Sequence, residues 1–136
     1  CEDIPQVLAE CRRVLKNGGR FLCSTYGKQH MREITDLVQQ FHKEIVLSAE
    51  ALYERFGLEN GENLLAPYFP EIQMRRYEDA IEIAEAEPLI SYILSCHGNQ
   101  NQLLLNQYKE FREFVSARVA DGFHITKDAG IFLCRK

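Results

Sequence analysis

Apolar residues along this chain recur at two spacings, and the points where one spacing gives way to the other mark the elements. Val7, Leu8, Cys11, Val14 and Leu15 fall three and four apart, which predicts a helix from Asp3 onward. Asp3 suits its N-cap, and Pro5 is tolerated in the first turn. Arg12, Arg13 and Lys16 sit where cations complement the negative end of the helix dipole. Asn17-Gly18-Gly19 stops the helix. Phe21, Leu22 and Cys23 follow as a short continuous apolar run, with Ser24 and Thr25 at its end. A strand apolar on both sides is expected inside a sheet covered by helices.

The helical spacing returns in Met31, Ile34, Leu37, Val38, Phe41 and Ile45, predicting a helix over 31–46. Ser48 is placed to cap a short helix through Ala49, Leu52 and Phe56, ended by Gly57. Asn60-Gly61-Glu62 opens another with Leu64 and Leu65 inward, which Pro67 cuts short. Period two takes over across Glu71–Ile83, with a bend or bulge expected near Asp79. A helix starts at Ala86 or Glu87, with Pro88 in its first turn, and Gly98-Asn99 ends it. Gln100–Ala120 reads as one long helix with a stripe of Leu104, Tyr108, Phe111, Val115 and Val119, stopped by Gly122. Phe123–Lys136 is extended. Asp128-Ala129-Gly130 makes it either a hairpin or one long strand with an interruption.

Composition adds limits. The chain has 136 residues and 46% hydrophobic content, enough for a core in a domain of ordinary size. A net charge of −4 argues against a general nucleic-acid or anionic-membrane binder. No apolar run approaches the roughly 18 residues of a membrane-spanning helix. The first residue is not methionine and a helix cap follows at once, so the expectation is a piece of a longer chain. The stretch does not open on a basic, apolar leader, so secretion is not indicated and a cytoplasmic location is expected. Five cysteines at irregular spacing, without C-x-x-C, read as reduced structural thiols rather than disulfides or metal ligands. His42 has no second ligand at a metal-binding spacing, so no metal site is expected. His124 reads as an outward strand residue. Arg75 and Arg76, followed closely by acidic residues, read as a locally neutralised edge rather than an anion site.

In open α/β sheets ligands bind beyond the carboxyl ends of strands. That makes Tyr26-Gly27-Lys28-Gln29-His30, directly after the first strand, the best-placed loop for substrate contact.

The run from Glu10 to Tyr26, E-x-x-R-V-L-K-N-G-G-R-F-L-x-S-T-Y, resembles the class I S-adenosylmethionine-dependent methyltransferases, where it forms the helix before the fifth strand and that strand itself. Phe56–Gly61, Arg76–Asp79 and Phe123–Asp128 look like the C-terminal half of a bacterial, small-molecule-type branch of the same family. The resemblance implies an α/β fold, the C-terminal half of a Rossmann-like methyltransferase domain, with a mixed sheet of roughly three to four strands and helices packed on it. It divides the partial domain 1–136 into a helix and central strand (1–26), a helical, lid-like insertion (27–70) and C-terminal strands and helices (71–136). The last strands should run antiparallel to the first.

The implied cofactor is S-adenosylmethionine and the implied partner a small-molecule methyl acceptor. Tyr26 and His30 are the substrate-side residues the resemblance offers. The family's glycine-rich turn after its first strand, and the acidic residue ending its second, are both missing. No cofactor ligand or catalytic residue is therefore assigned, and the chain alone is expected to be inactive. With the family's fourth strand missing as well, strand 20–25 should present an unpaired edge, and a homodimer through that edge is expected. The alternative is a non-catalytic interaction or dimerisation module of the same fold class.

Overall fold

The computed structural model describes residues 2–48 and 51–136. In chain order the elements are α1 (Ile4–Val14), β1 (Arg20–Tyr26), α2 (Arg32–Phe41), α3 (Leu52–Arg55), α4 (Gly61–Leu65), β2 (Glu71–Ile83), α5 (Ala86–Ser95), α6 (Gln100–Leu104), α7 (Tyr108–Val119) and β3 (Phe123–Arg135). The fold is mixed α/β, with one open three-stranded sheet in the order β1-β3-β2. β1 runs antiparallel to β3, with Arg20 opposite Arg135 and Tyr26 opposite Ala129. Two compact units share the long strands. The first takes residues 1–30, 52–78 and 128–136, and the second takes 31–51 and 79–127.

In the first unit, Leu8, Leu58, Leu65, Phe69, Phe132 and Cys134 form the buried core, with Phe21, Cys23 and Ile72 packed against it. Phe21 stacks on Phe69 at 5.2 Å, and Phe56 meets Phe132 edge-on at 5.9 Å. The Asp3 carboxylate accepts the Gln6 N–H at 2.8 Å and caps α1. The α1 stripe is narrower than its spacing predicts: Leu8 is buried, but Val14 is 67% exposed. The glycine stop is a tight turn with Gly18 at φ +74°.

β1 departs from the expectation of a strand covered on both faces. Phe21 and Cys23 face the core, while Leu22, between them, is 53% exposed. Among the described residues β1 has β3 as its one neighbour, so it is an edge strand. The bonds from Lys136 N–H to Gly19 C=O (3.0 Å) and from Gly27 N–H to Asp128 C=O (2.9 Å) set the phase of the ladder. Odd-numbered residues turn their backbone groups to β3, and those of Arg20, Leu22, Ser24 and Tyr26 point outward. The Tyr26 carbonyl accepts the Leu58 N–H at 3.3 Å, which closes that end of the edge.

β3 is a single strand, not a hairpin. Asp128 turns inward at 6% exposure instead of starting a turn. Gly130 provides close approach: a Cβ there would lie 2.8 Å from the Arg75 carbonyl oxygen.

The second unit packs Ile34, Leu37 and Val38 of α2 with Ile45, Leu89, Ile90, Ile93, Leu104, Phe111, Val115, Val119 and Ile125. α2 is shorter than its stripe: His42 leaves the helix with an extended backbone. The single long helix expected over 100–120 is broken into α6 and α7. Gln107 closes a tight turn onto Leu104 C=O at 3.0 Å, and its side chain donates to Leu103 C=O at 3.3 Å. Such local side-chain bonds compete with the helical ladder. Leu105 is left 76% exposed in the break, and Tyr108 is 43% exposed rather than buried with its stripe. The cap expected of Ser48 on a helix through Ala49 involves residues outside the described ones; α3 itself spans Leu52–Arg55.

One carboxylate in this unit makes a pH prediction. Glu33, in the first turn of α2, accepts the Thr126 N–H at 3.0 Å and the Thr126 hydroxyl, with Arg32 Nε 3.6 Å away. Burial pushes its carboxyl upward, but the two Thr126 bonds, helped by Arg32, outweigh burial and hold it below its ordinary 4.5. A depressed folded value gives stability present above about pH 4.5 and lost as pH falls through that depressed value. Urea denaturation of Glu33→Gln should therefore lie below the wild type near neutrality, and the difference should shrink under acid. A difference that grows on acidification would contradict this assignment.

Candidate functional site

The candidate site is built where β1 ends. After Tyr26, Gly27 N–H bonds to Asp128 C=O, and His30 N–H returns to Gly27 C=O at 3.1 Å. The loop between is held by two carboxylates. Asp128 Oδ2 accepts the Gln29 N–H and Glu59 Oε1 accepts the Lys28 N–H, each at 3.3 Å. Arg76 lies beside both, with Nε 3.4 Å from Asp128 and Nη2 3.9 Å from Glu59.

Gly27 lets both carboxylates approach the backbone, and a larger residue would require them to shift. A Cβ on Gly27 would lie 2.2 Å from Asp128 Oδ2 and 2.7 Å from Glu59 Oε1. The loop is also tied to the segment after α3. The Thr25 hydroxyl donates to Phe56 C=O at 2.7 Å, and Asn60 braces the turn by accepting from Gly57 N–H and donating to Glu54 C=O, both at 2.7 Å.

Tyr26 and His30, the two residues singled out from the sequence, are brought together. Both are half-buried, with ring centroids 5.2 Å apart and planes tilted by 30°. They form an aromatic pair on a loop whose amides are fixed by charge. Pinned rings of this kind can stack on or hydrogen-bond to a bound molecule without first losing side-chain freedom.

Asp128, Glu59 and Arg76 were not visible in the sequence as site residues. Local pattern makes Asp128 a turn residue and leaves Arg76 to be neutralised by the acids that follow it. The signal available was a charged residue at an inward-facing position of a strand. Arg75 and Arg76 have different surroundings, since alternation sends their side chains to opposite faces.

A second concavity of about 300 Å³ lies in the same unit, between α1, β1 and the start of α3. Ile4, Val7, Leu8, Phe21, Leu52 and Phe56 line it, with Cys23 in its wall and Arg55 at its rim. The Cys23 thiol is pushed up to about 11, first by burial and then by the neighbouring Cys134 and Cys11. At neutral pH it is a thiol rather than a thiolate, and so a poor nucleophile.

In the second unit, His124 contacts the exposed Glu82 carboxylate through Nδ1. Among the described residues, no three His, Cys, Asp or Glu side chains converge on a point where an ion could sit. No described helix is long and apolar enough to cross a membrane.

The paired glycines do not offer a cradle for a nucleotide-like cofactor. Gly18 N–H is spent on Lys136 C=O at 3.0 Å and Gly19 N–H on Lys16 C=O at 2.8 Å. A Cβ on Gly19 would strike the Lys16 carbonyl at 2.8 Å, so this glycine serves the turn. These two glycines therefore do not form a cradle for S-adenosylmethionine.

No protein-family model matches the chain, and a search of the curated proteins returned no match.

Proposed function

We propose that this chain is the C-terminal part of a class I S-adenosylmethionine-dependent methyltransferase that acts on a small molecule. The observation that carries this reading is the carboxyl end of β1. There a strand in a methyltransferase-like sequence context opens into a loop locked by two carboxylates and carrying the Tyr26–His30 pair. The antiparallel pairing of β3 with β1 agrees with the chain direction the resemblance implies. In this reading Tyr26 and His30 contact the methyl acceptor, and the cofactor is held by residues outside these 136.

Methyl transfer is a direct displacement at a reactive sulfonium, so the contribution expected of this region is positioning. Calorimetric titration tests it. A longer protein containing this segment should release heat with S-adenosylmethionine or its demethylated product, and the 136-residue chain should not. A folded longer protein that is silent to both compounds would sink the assignment.

A second reading, an assembly module, is favoured by the open edge of β1. The outward backbone groups of Arg20, Leu22 and Ser24 match a second copy in antiparallel register about a two-fold axis at Leu22. Arg20 of one copy then pairs with Ser24 of the other, and the two exposed leucines meet. The stretch from Phe21 to Tyr26 has no charge or proline to block such pairing. Light scattering at tens of micromolar, roughly the regime where open edges associate, should give a dimer that Leu22→Lys converts to monomer. A monomeric wild type would remove this reading, together with the homodimer expected of the unpaired strand, and leave the methyltransferase assignment standing.

A further inference from the structure

The face of the first unit's sheet that points away from the core carries a pattern of charge that neither reading above uses, although the assembly reading shares its Leu22. Alternation along β1 and β3 places Arg20, Leu22 and Ser24 beside Arg135, Leu133 and Ile131 on that face, in the pairs Arg20–Arg135, Leu22–Leu133 and Ser24–Ile131. The ion pair from Arg135 Nε to Glu71 Oε2 at 3.7 Å puts Glu71 on the same face of β2, and Gln73 and Arg75 follow by alternation. Leu22 is 53% exposed, and Leu133 and Ile131 beside it are half-buried. A concavity of about 580 Å³ opens here, lined by Arg20, Arg75, Leu133 and Arg135 among others.

The charge on this face is out of balance. Arg20 and Arg135 stand directly opposite each other, an arrangement that costs energy in a sheet. Three guanidinium groups share the face with one carboxylate, Glu71, on a chain whose net charge is −4. Carboxylates supplied from outside would relieve that repulsion, and the Leu22–Leu133–Ile131 stripe would contribute apolar burial.

The dimensions select the shape of the occupant. Three strands at about 4.8 Å spacing make a surface roughly 10 Å across, the width of one α-helix. An extended segment would need backbone partners, and a sheet face has none to give.

We propose that this face docks an acidic amphipathic helix. The apolar stripe of that helix lies on Leu22, Leu133 and Ile131, and its flanking carboxylates pair with Arg20, Arg135 and Arg75. The inference does not depend on the methyltransferase reading.

The test uses the 136-residue chain and two fluorescein-labelled 18-residue helical peptides. Both have leucines at i, i+3, i+4 and i+7; one has glutamates on the flanks and the other lysines. Fluorescence anisotropy should give saturable binding of the glutamate peptide that weakens as sodium chloride is raised, with much weaker binding of the lysine peptide. Arg20→Glu/Arg75→Glu, on exposed side chains, should weaken the glutamate peptide about tenfold or more and strengthen the lysine peptide. Circular dichroism of the variant should match the wild type.

Equal binding of the two peptides, or no binding to natively folded chain, would overturn the proposal. So would full retention of binding when the leucines become serines, or complete competition by millimolar inorganic phosphate. Either of those results would identify a plain anion site. A second copy as the occupant would appear as self-association abolished by Arg20→Glu/Arg75→Glu, and would likewise overturn it.

Discussion

Phe132→Ala is expected to cost about 3–5 kcal/mol of unfolding free energy, the range for removing a buried aromatic ring. Phe132 is 0% exposed and sits in the core of the first unit with Leu8, Leu58, Leu65 and Phe69. Its ring meets Phe56 edge-on and lies directly over Gly61, where a Cβ would fall 2.5 Å from Cε2 and 2.6 Å from Cζ. The two positions should therefore be coupled. Gly61→Ala alone forces the ring to move and should cost about 1–3 kcal/mol. Phe132→Leu removes the two ring atoms that the new methyl group strikes. The double variant Gly61→Ala/Phe132→Leu should accordingly be more stable than the sum of its singles predicts, by about 0.5 kcal/mol or more. Urea denaturation followed by circular dichroism measures all four proteins. Strict additivity would mean that the Gly61–Phe132 contact does not constrain the core, and would displace Phe132 from its centre.

Much of this architecture was legible because local chemistry and global packing agree. The Asp3 cap, the glycine stop at Gly18, the stripe of α2 and the early end of α4 before Pro67 each follow from a single local preference, and each is present. The pattern misled where a residue served a distant partner instead of its neighbours. Asp128-Ala129-Gly130 has the composition of a turn, yet Asp128 is there for Arg76 and the Gln29 amide, and Gly130 for the approach of the Arg75 backbone. Leu22 has the character of a core strand residue, but half of its surface is open, because apolarity does not tell which side of a strand is covered. The break between α6 and α7 lies in a stretch with good helical spacing on both sides, and there the Gln107 amide bonds to Leu104 C=O while its side chain bonds to Leu103 C=O. The candidate site was half legible. The position of Tyr26 and His30 followed from where strands end, but the charges that hold their loop come from chain positions about 30 to 100 residues away, which no local pattern reports.

Asp128 is where the consequences of that long-range arrangement are largest for the site. Its carboxylate has two partners, the Gln29 amide and the Arg76 guanidinium, and fills the space a Cβ on Gly27 would take. Asp128→Ala leaves the amide without its acceptor and Arg76 without its partner at 3.4 Å. Breaking a fully buried pair costs roughly 3–5 kcal/mol. Arg76 is 41% exposed and can turn to water, so the expected loss is smaller, about 2 kcal/mol. Asp128→Asn keeps the shape and one oxygen acceptor, but brings an NH₂ group against either the amide or the guanidinium. It should fall between the wild type and the alanine variant. Hydrogen exchange separates a local effect from a global one. The Gln29 amide should exchange faster in both variants, while the Lys28 amide, held by Glu59, should change less. If the loop presents Tyr26 and His30 to a ligand, this loosening also predicts weaker acceptor binding in a longer, cofactor-competent protein, with cofactor binding unchanged. Equal acceleration of exchange across β1 and β3 would instead make Asp128 a general support of the sheet and remove its special link to the loop.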